Sequence, residues 1–205
     1  MQNDTEIVRK RGRPRQFDEA AALDRVRDVF IEKGFAEASL DDLSAATGLN
    51  RPSIYGAFGD KERLYLTALA REGARALAAL RAALAAPGPI EERLSESFAR
   101  AIADYCAPPN HPGCMIVGTA AAAALTHPAI AEAARRLRRE TEDALETAFA
   151  RCVANRELPA DPAPAVRARL AVAMLDTLAV RARLGDAPGE LGDLAQDSLA
   201  LICRI

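Results

Sequence analysis

The sequence predicts an all-α protein of about nine helices, and three observations carry that prediction. Apolar residues recur at spacings of three and four, as in Leu94, Phe98, Ala101, Ile102 and Tyr105, rather than alternating as along a half-buried strand. Proline and glycine gather at a few breaks, which divide the chain beyond Asp60 into helix-sized pieces. Between Ser39 and Leu64 the run SLDDLSAATGLNRPSIYGAFGDKERL reads as two short helices joined by a tight glycine turn, with a longer helix starting at once.

Taken in order, FDEAAALDRVRDVFIEKGF predicts the first helix, with Leu23, Val26 and Phe30 on one face and Gly34 as its C-terminal stop. Ser39 and Asp42 form a capping pair that starts a second helix at Leu40, and Gly48 ends it. Leu40, Leu43 and Ala46 make its inward stripe, and Leu49 fills the corner. Asn50 is a good N-cap for a third helix from Arg51 to Phe58, and Pro52 is tolerated in a first turn, where its missing N–H has no partner to lose.

Two helices joined by a short glycine-containing turn are the helix-turn-helix unit, whose second helix enters the major groove of DNA. Ile54 and Phe58 face the core, leaving Arg51, Ser53, Tyr55, Gly56 and Ala57 nearer the outside. Arg51 and Ser53 have the donors to bond bases, an arginine gripping guanine through two bonds, while the Tyr55 hydroxyl suits a phosphate oxygen. Lys61, beside a helix N-terminus capped by Asp60, suits a backbone phosphate at the edge of the groove. Ser39, Asn50 and Pro52, at the N-termini of the two short helices, complete the candidate DNA-contacting set.

The stretch TGLNRPSIYGAFGDKERLY resembles the recognition helix and following segment of the TetR/AcrR-like bacterial transcription regulators, and with the first helix the resemblance covers roughly residues 15 to 66. It departs from the family at Gly56 and Ala57, where many members carry a larger polar or aromatic side chain, and at Asp41, where the family often has a basic residue. Gly56 and Ala57 leave base reading mainly to Arg51 and Ser53, and Asp41 weakens the grip on phosphate. The resemblance implies a DNA-binding domain followed by a helical ligand-binding and dimerisation domain, a homodimer through the last two helices, a palindromic double-stranded operator, and a repressor released by a small-molecule effector.

Ahead of the first helix, Arg9-Lys10-Arg11-Gly12-Arg13-Pro14-Arg15 places five cations in seven residues. Extended arginine arms enter the narrow minor groove of A·T-rich DNA, and RGRPR resembles an AT-hook core, so Arg11, Arg13 and Arg15 join the DNA-contacting set. The first helix is acidic and the whole chain carries net charge −2, which argues against a broad basic face and for a dimer gripping two half-sites. The divisions expected are a basic arm over residues 1–16, a helix-turn-helix domain over 17–64 and a helical effector and dimerisation domain over 65–205.

Helices are expected at 60–86, 90–106, 114–125, 128–156, 164–185 and 189–203. The penultimate helix carries a stripe of Val166, Leu170, Ala173, Met174, Thr177 and Leu178, and the last one of Leu191, Leu194, Ser198, Leu201 and Ile202. Periodicity permits either stripe to be core or interface; only the resemblance assigns them to dimerisation. Phe98, Tyr105, Cys114, Met115, Val117, Phe149 and Met174 are the candidate ligand-pocket residues, although aromatics and methionines at this spacing are ordinarily core.

Cys106, His111 and Cys114 form a soft-ligand cluster across a proline-rich loop, the basis of an alternative metal- or thiol-responsive regulator. Their spacing matches no established metal motif, and no metal or cofactor is expected. In the thiol version, Cys114 near a helix N-terminus has a lowered pKa. Another alternative is a non-specific architectural binder of A·T-rich DNA through the arm. Two histidines, no glycine-rich phosphate loop and no hydrolase elbow argue against an enzyme. No apolar run approaches the ~20 residues that span a bilayer, and no signal-peptide core follows the charged N-terminus, so a cytoplasmic protein without a membrane partner is expected.

Overall fold

A computed structural model describes residues 17–107 and 113–204. Arg11, Arg13, Arg15 and His111 lie outside the described residues. Within these limits the chain is helical throughout, with nine α-helices and no strand among the described residues.

Helix α1 (Glu19–Glu37) starts where the Asp18 carboxylate accepts the N–H groups of Ala20 and Ala21, and it breaks at Gly34. That glycine takes φ +77°, which a residue with a Cβ rarely adopts, and one further turn follows before the chain leaves the helix at Ala38. Helix α2 (Leu40–Thr47) is closed by left-handed Gly48. Helix α3 (Arg51–Phe58) leads through Gly59 into the long α4 (Lys61–Ala85), whose first turn is capped by the Asp60 carboxylate on the Arg63 N–H at 2.8 Å.

Beyond α4 come α5 (Ile90–Tyr105), a π-helical turn (Ile116–Ala120), the one-turn α6 (Ala121–Ala123), α7 (Pro128–Ala154), α8 (Pro164–Leu184) and α9 (Pro188–Arg204). The helix expected over 114–125 is therefore corrected to a π turn and a single α-helical turn. Its alanines favour a regular helix, but tertiary partners set its register. The Thr119 hydroxyl lies 2.7 Å from the Tyr65 hydroxyl, and a Cβ on Gly118 would stand 3.2 Å from the Arg183 guanidinium.

Two apolar cores hold the helices. The first joins Val26, Phe30, Leu43, Ile54 and Phe58 of the N-terminal helices to Leu64, Tyr65 and Leu69 of α4, and continues into Met115, Ala120, Ile130 and Leu137. Its centre is aromatic: the Tyr65 ring meets Phe30 and Phe35 edge-on at 4.9 and 5.1 Å, and Phe35 meets His127 at 4.5 Å. The second packs α5, α7, α8 and α9 around Leu94, Phe98, Leu145, Phe149, Leu178, Leu191 and Leu199. At its edge the fully buried Arg167 donates to the carbonyls of Pro159, Asp161 and Pro162 and to that of Ile202 near the end of α9. Those bonds make the burial of a charge tolerable, because loop and helix-end carbonyls gain a cationic donor.

The two C-terminal stripes divide. Leu178, Leu191 and Ile202 turn inward, whereas Val166, Leu170, Ala173, Thr177 and Leu201 lie on the surface.

Candidate nucleic-acid interface

The helix-turn-helix is built by its caps. Ser39 and Asp42 exchange a 2.9 Å bond from the Ser39 N–H and a 3.1 Å bond from the Asp42 N–H, the capping box expected of them. Lys33 adds a 2.6 Å bond to Asp42, and with the Ser39 backbone and hydroxyl it holds that carboxyl well below the usual carboxylate range. Asn50 caps α3 by accepting the Ser53 N–H at 2.9 Å. With Ile54 and Phe58 buried beneath, α3 presents Arg51, Pro52, Tyr55 and Gly56 to solvent. Ser53 is half-buried, and Ala57, expected nearer the outside, packs against the core instead because the short α3 lies close over it.

Arg51 and Lys61, like Ser39 and Asn50, are engaged within the chain. Arg51 makes a two-pronged ion pair with Asp41 of α2, Nε to Oδ1 at 3.0 Å and Nη2 to Oδ1 and Oδ2 at 2.7 Å each. Lys61 donates a 3.1 Å bond to the Ala36 carbonyl in the last turn of α1 and sits 4.8 Å from the Phe35 ring centre, where burial lowers its pKa. Lys61 thus ties the start of α4 to the end of α1.

Behind this unit lies a cavity of about 1270 Å³, walled by α1, α4, α5, the segment around Cys114, α7 and α8. A chain of ion pairs crosses it: Arg27 of α1 reaches Glu72 of α4 at 3.3 Å, Arg75 reaches Glu72 at 2.8 Å, and Arg75 reaches Asp104 of α5 at 3.3 Å. Burial pushes the Glu72 carboxyl up, but Arg75 and Arg27 together hold it below its ordinary value. On the far wall Arg138 pairs with Asp176, where burial outweighs the arginine and raises the carboxyl's pKa. The Tyr105 hydroxyl and the Cys114 thiol also belong to cavity-lining residues, and both are pushed up chiefly by burial.

Residues 22–68 match the family model for bacterial regulatory proteins of the tetR family, and residues 91–196 match that for the tetracyclin repressor-like C-terminal domain. The chain belongs to the TetR family. Among its relatives, an uncharacterized HTH-type transcriptional regulator, YezE of Bacillus subtilis, is 32% identical over 133 residues, 65% of this chain and 69% of YezE. The HTH-type transcriptional repressor ComR of Escherichia coli is 41% identical over 104 residues, 50% of this chain and 46% of ComR. Among solved structures, a cysteine mutant of the TetR-family regulator CifR complexed with 26 bp double-strand operator DNA is 30% identical, with a TM-score of 0.80, covering 91% of this chain and 98% of that one. TetR-family proteins are regulators rather than enzymes. No helix among the described residues is long and apolar enough to cross a membrane.

Within this TetR-family frame the candidate pocket residues separate. Tyr105, Cys114 and Met115 line the cavity. Phe98 and Phe149 do not reach it, since both are sealed in the second core with no exposed surface. Met174 packs beside α9 and accepts a 3.6 Å bond from the Ser198 hydroxyl, and Val117 is half-buried in the π turn outside the lining. Large apolar side chains at helical spacing went to the core, as burial favours.

The lowered pKa expected at Cys114 is corrected: burial raises it, and the Val117 and Ile116 N–H groups only partly offset that. Cys106 is buried against the second core, and no three His, Cys, Asp or Glu side chains among the described residues are grouped to hold a metal. Sequence reasoning missed Glu72, Arg75, Arg138 and Asp176. Their one signal was a charge in the middle of a long helix, flanked by apolar neighbours such as Leu69 and Ala76 around Glu72.

Proposed function

We propose that the chain is a transcriptional repressor that binds a palindromic DNA operator as a homodimer and releases it when a small molecule fills the cavity. The observation that carries the reading is α3 itself, a capped helix offering Arg51, Ser53 and Tyr55 on the side away from the core. The likeness to CifR, whose structure holds operator DNA, supports it. Residues 17–64 read the major groove, the arm over residues 1–16 enters the minor groove through Arg11, Arg13 and Arg15, and residues 65–205 hold effector and partner. Ser39, Asn50, Pro52 and Lys61 position the backbone phosphates around α3.

Exposed Leu170, Val180, Leu184 and Leu201 give α8 and α9 an apolar surface that a two-fold partner covers, matching the symmetry of a palindrome. A regulator working on DNA in this way acts in the cytoplasm. Release requires the effector to favour the state that does not bind DNA, since equal affinity for both states shifts nothing. The cavity supports this coupling because α1, which packs directly against α2, is one of its walls.

Selection of binding sites from random duplexes, followed by titration at fixed salt, tests the reading. The expected result is one palindrome preferred over random DNA by roughly 10³-fold or more. Arg51→Ala relaxes the preference at one base pair per half-site, and Lys61→Ala weakens all sequences alike. Equal affinity for all A·T-rich duplexes overturns the reading.

A further inference from the structure

Asp41 is exposed at the start of α2, and its carboxylate is aimed at Arg51, the arginine that has the base-reading role in the function proposed above. The two acids at the start of α2 divide the work. Asp42 is consumed by the Ser39 cap and by Lys33, while Asp41 bonds neither and turns to α3. Its two oxygens take the Nε and Nη2 edge of the Arg51 guanidinium. A guanidinium has five N–H donors in one plane, and that edge uses two of them. Nη1 makes no hydrogen bond among the described residues, which leaves the edge it forms with Nη2 to meet a base.

Guanine presents O6 and N7 in the major groove at the spacing of such an edge. An arginine held along one side by a carboxylate keeps its plane and loses its freedom to swing to a phosphate, so the ordering cost of forming two bonds to one base is already met. The pair is also electrically neutral, so it contributes recognition of a base without adding to sequence-independent attraction.

The geometry points to Asp41 as a specificity-determining positioning residue, a buttress that fixes Arg51 to read one guanine per half-site. The inference rests on the DNA-reading function above. It inverts the expectation that an acid at this place merely weakens the hold on DNA: the hold on random DNA is weakened, and discrimination is what is gained.

The test compares the full-length wild type with Asp41→Ala and Asp41→Asn on the selected operator, on operators with each base pair of a half-site changed, and on random duplex, at several salt concentrations. In both variants the preference for guanine at one position should fall roughly tenfold or more. Affinity for random DNA should hold or rise, with a steeper salt dependence, because Arg51 is freed to meet phosphate. A role in folding alone would lower all affinities together and the melting temperature with them. Adding Arg51→Ala to Asp41→Ala should cause little further loss of preference, since the two act as a unit. Tighter operator binding with the guanine preference intact would overturn the proposal and make Asp41 a competitor of DNA. A wild type without any sequence preference would instead remove the DNA-reading function, and this inference with it.

Discussion

The Arg183 guanidinium near the end of α8 donates a 2.9 Å hydrogen bond to the Ile31 carbonyl of α1, joining residues 152 positions apart along the cavity wall. Ile31 lies in the last turn before the break at Gly34, where helical carbonyls lack partners along the helix. Gly118, whose missing side chain leaves room beside the Arg183 head, completes the fit. Arg183→Ala should therefore loosen the end of α1. The expected cost is about 1 kcal/mol, or a fall of roughly 2–4 °C in melting temperature. Amide exchange over residues 31–37 should quicken, and an unchanged exchange pattern would show the bond to be idle.

Leu170 lies in the middle of the exposed α8 stripe, 48% open to solvent. Leu170→Asp puts a charge where a two-fold partner would bury it, at little cost to the isolated subunit. Sedimentation should show a folded monomer, and operator affinity should fall by a hundredfold or so once two half-sites are no longer bridged. A dimer that survives the change would move the interface elsewhere.

Tyr65 is fully buried, and burial pushes its hydroxyl up to about 12, opposed only in part by the bond with Thr119. A group with a raised pKa in the folded state stabilises the fold below its unfolded value near 10, and that contribution is lost as the pH climbs to about 12. Tyr65→Phe should cost about 1 kcal/mol at neutral pH. Between pH 10 and 12 the variant should lose stability more slowly than the wild type, by on the order of 2 kcal/mol over the interval. Parallel alkaline melting curves for the two proteins would contradict this.

Deletion of residues 1–13 removes Arg9, Lys10, Arg11 and Arg13. If these meet phosphates, the slope of log affinity against log salt should fall by about 0.9 for each phosphate no longer neutralised, while the preferred base pairs read by α3 stay the same. An unchanged slope would leave the arm without a role at the operator.

Helix ends were the most legible part of the fold, because a cap is local chemistry: Ser39, Asn50, Asp60 and Gly48 do in space what their spacing predicts. The same locality explains the π turn, where the alanine run points to a regular helix and the demands of Tyr65 and Arg183 arrive from 54 and 65 residues away. The cavity was illegible for a related reason. Glu72 is an ordinary mid-helix charge until α1, α4 and α5 converge around it, and nothing in one helix tells where the other two will lie. Arg51 and Asp41 were both singled out from the sequence, ten positions apart, but their pairing depends on the angle of the turn through Gly48.

Because α1 is at once a support of the DNA-reading helices and a wall of the cavity, residues such as Arg27 and Ile31 answer to two selective demands. A change there that suited a new small molecule would also disturb the seat of α2 and α3. The α5 wall adds no residue to the core beneath those helices. New chemical specificities should accumulate on that wall, through positions such as Ala101 and Asp104, while the α1 wall drifts slowly, so that the same operator comes under the control of successive signals.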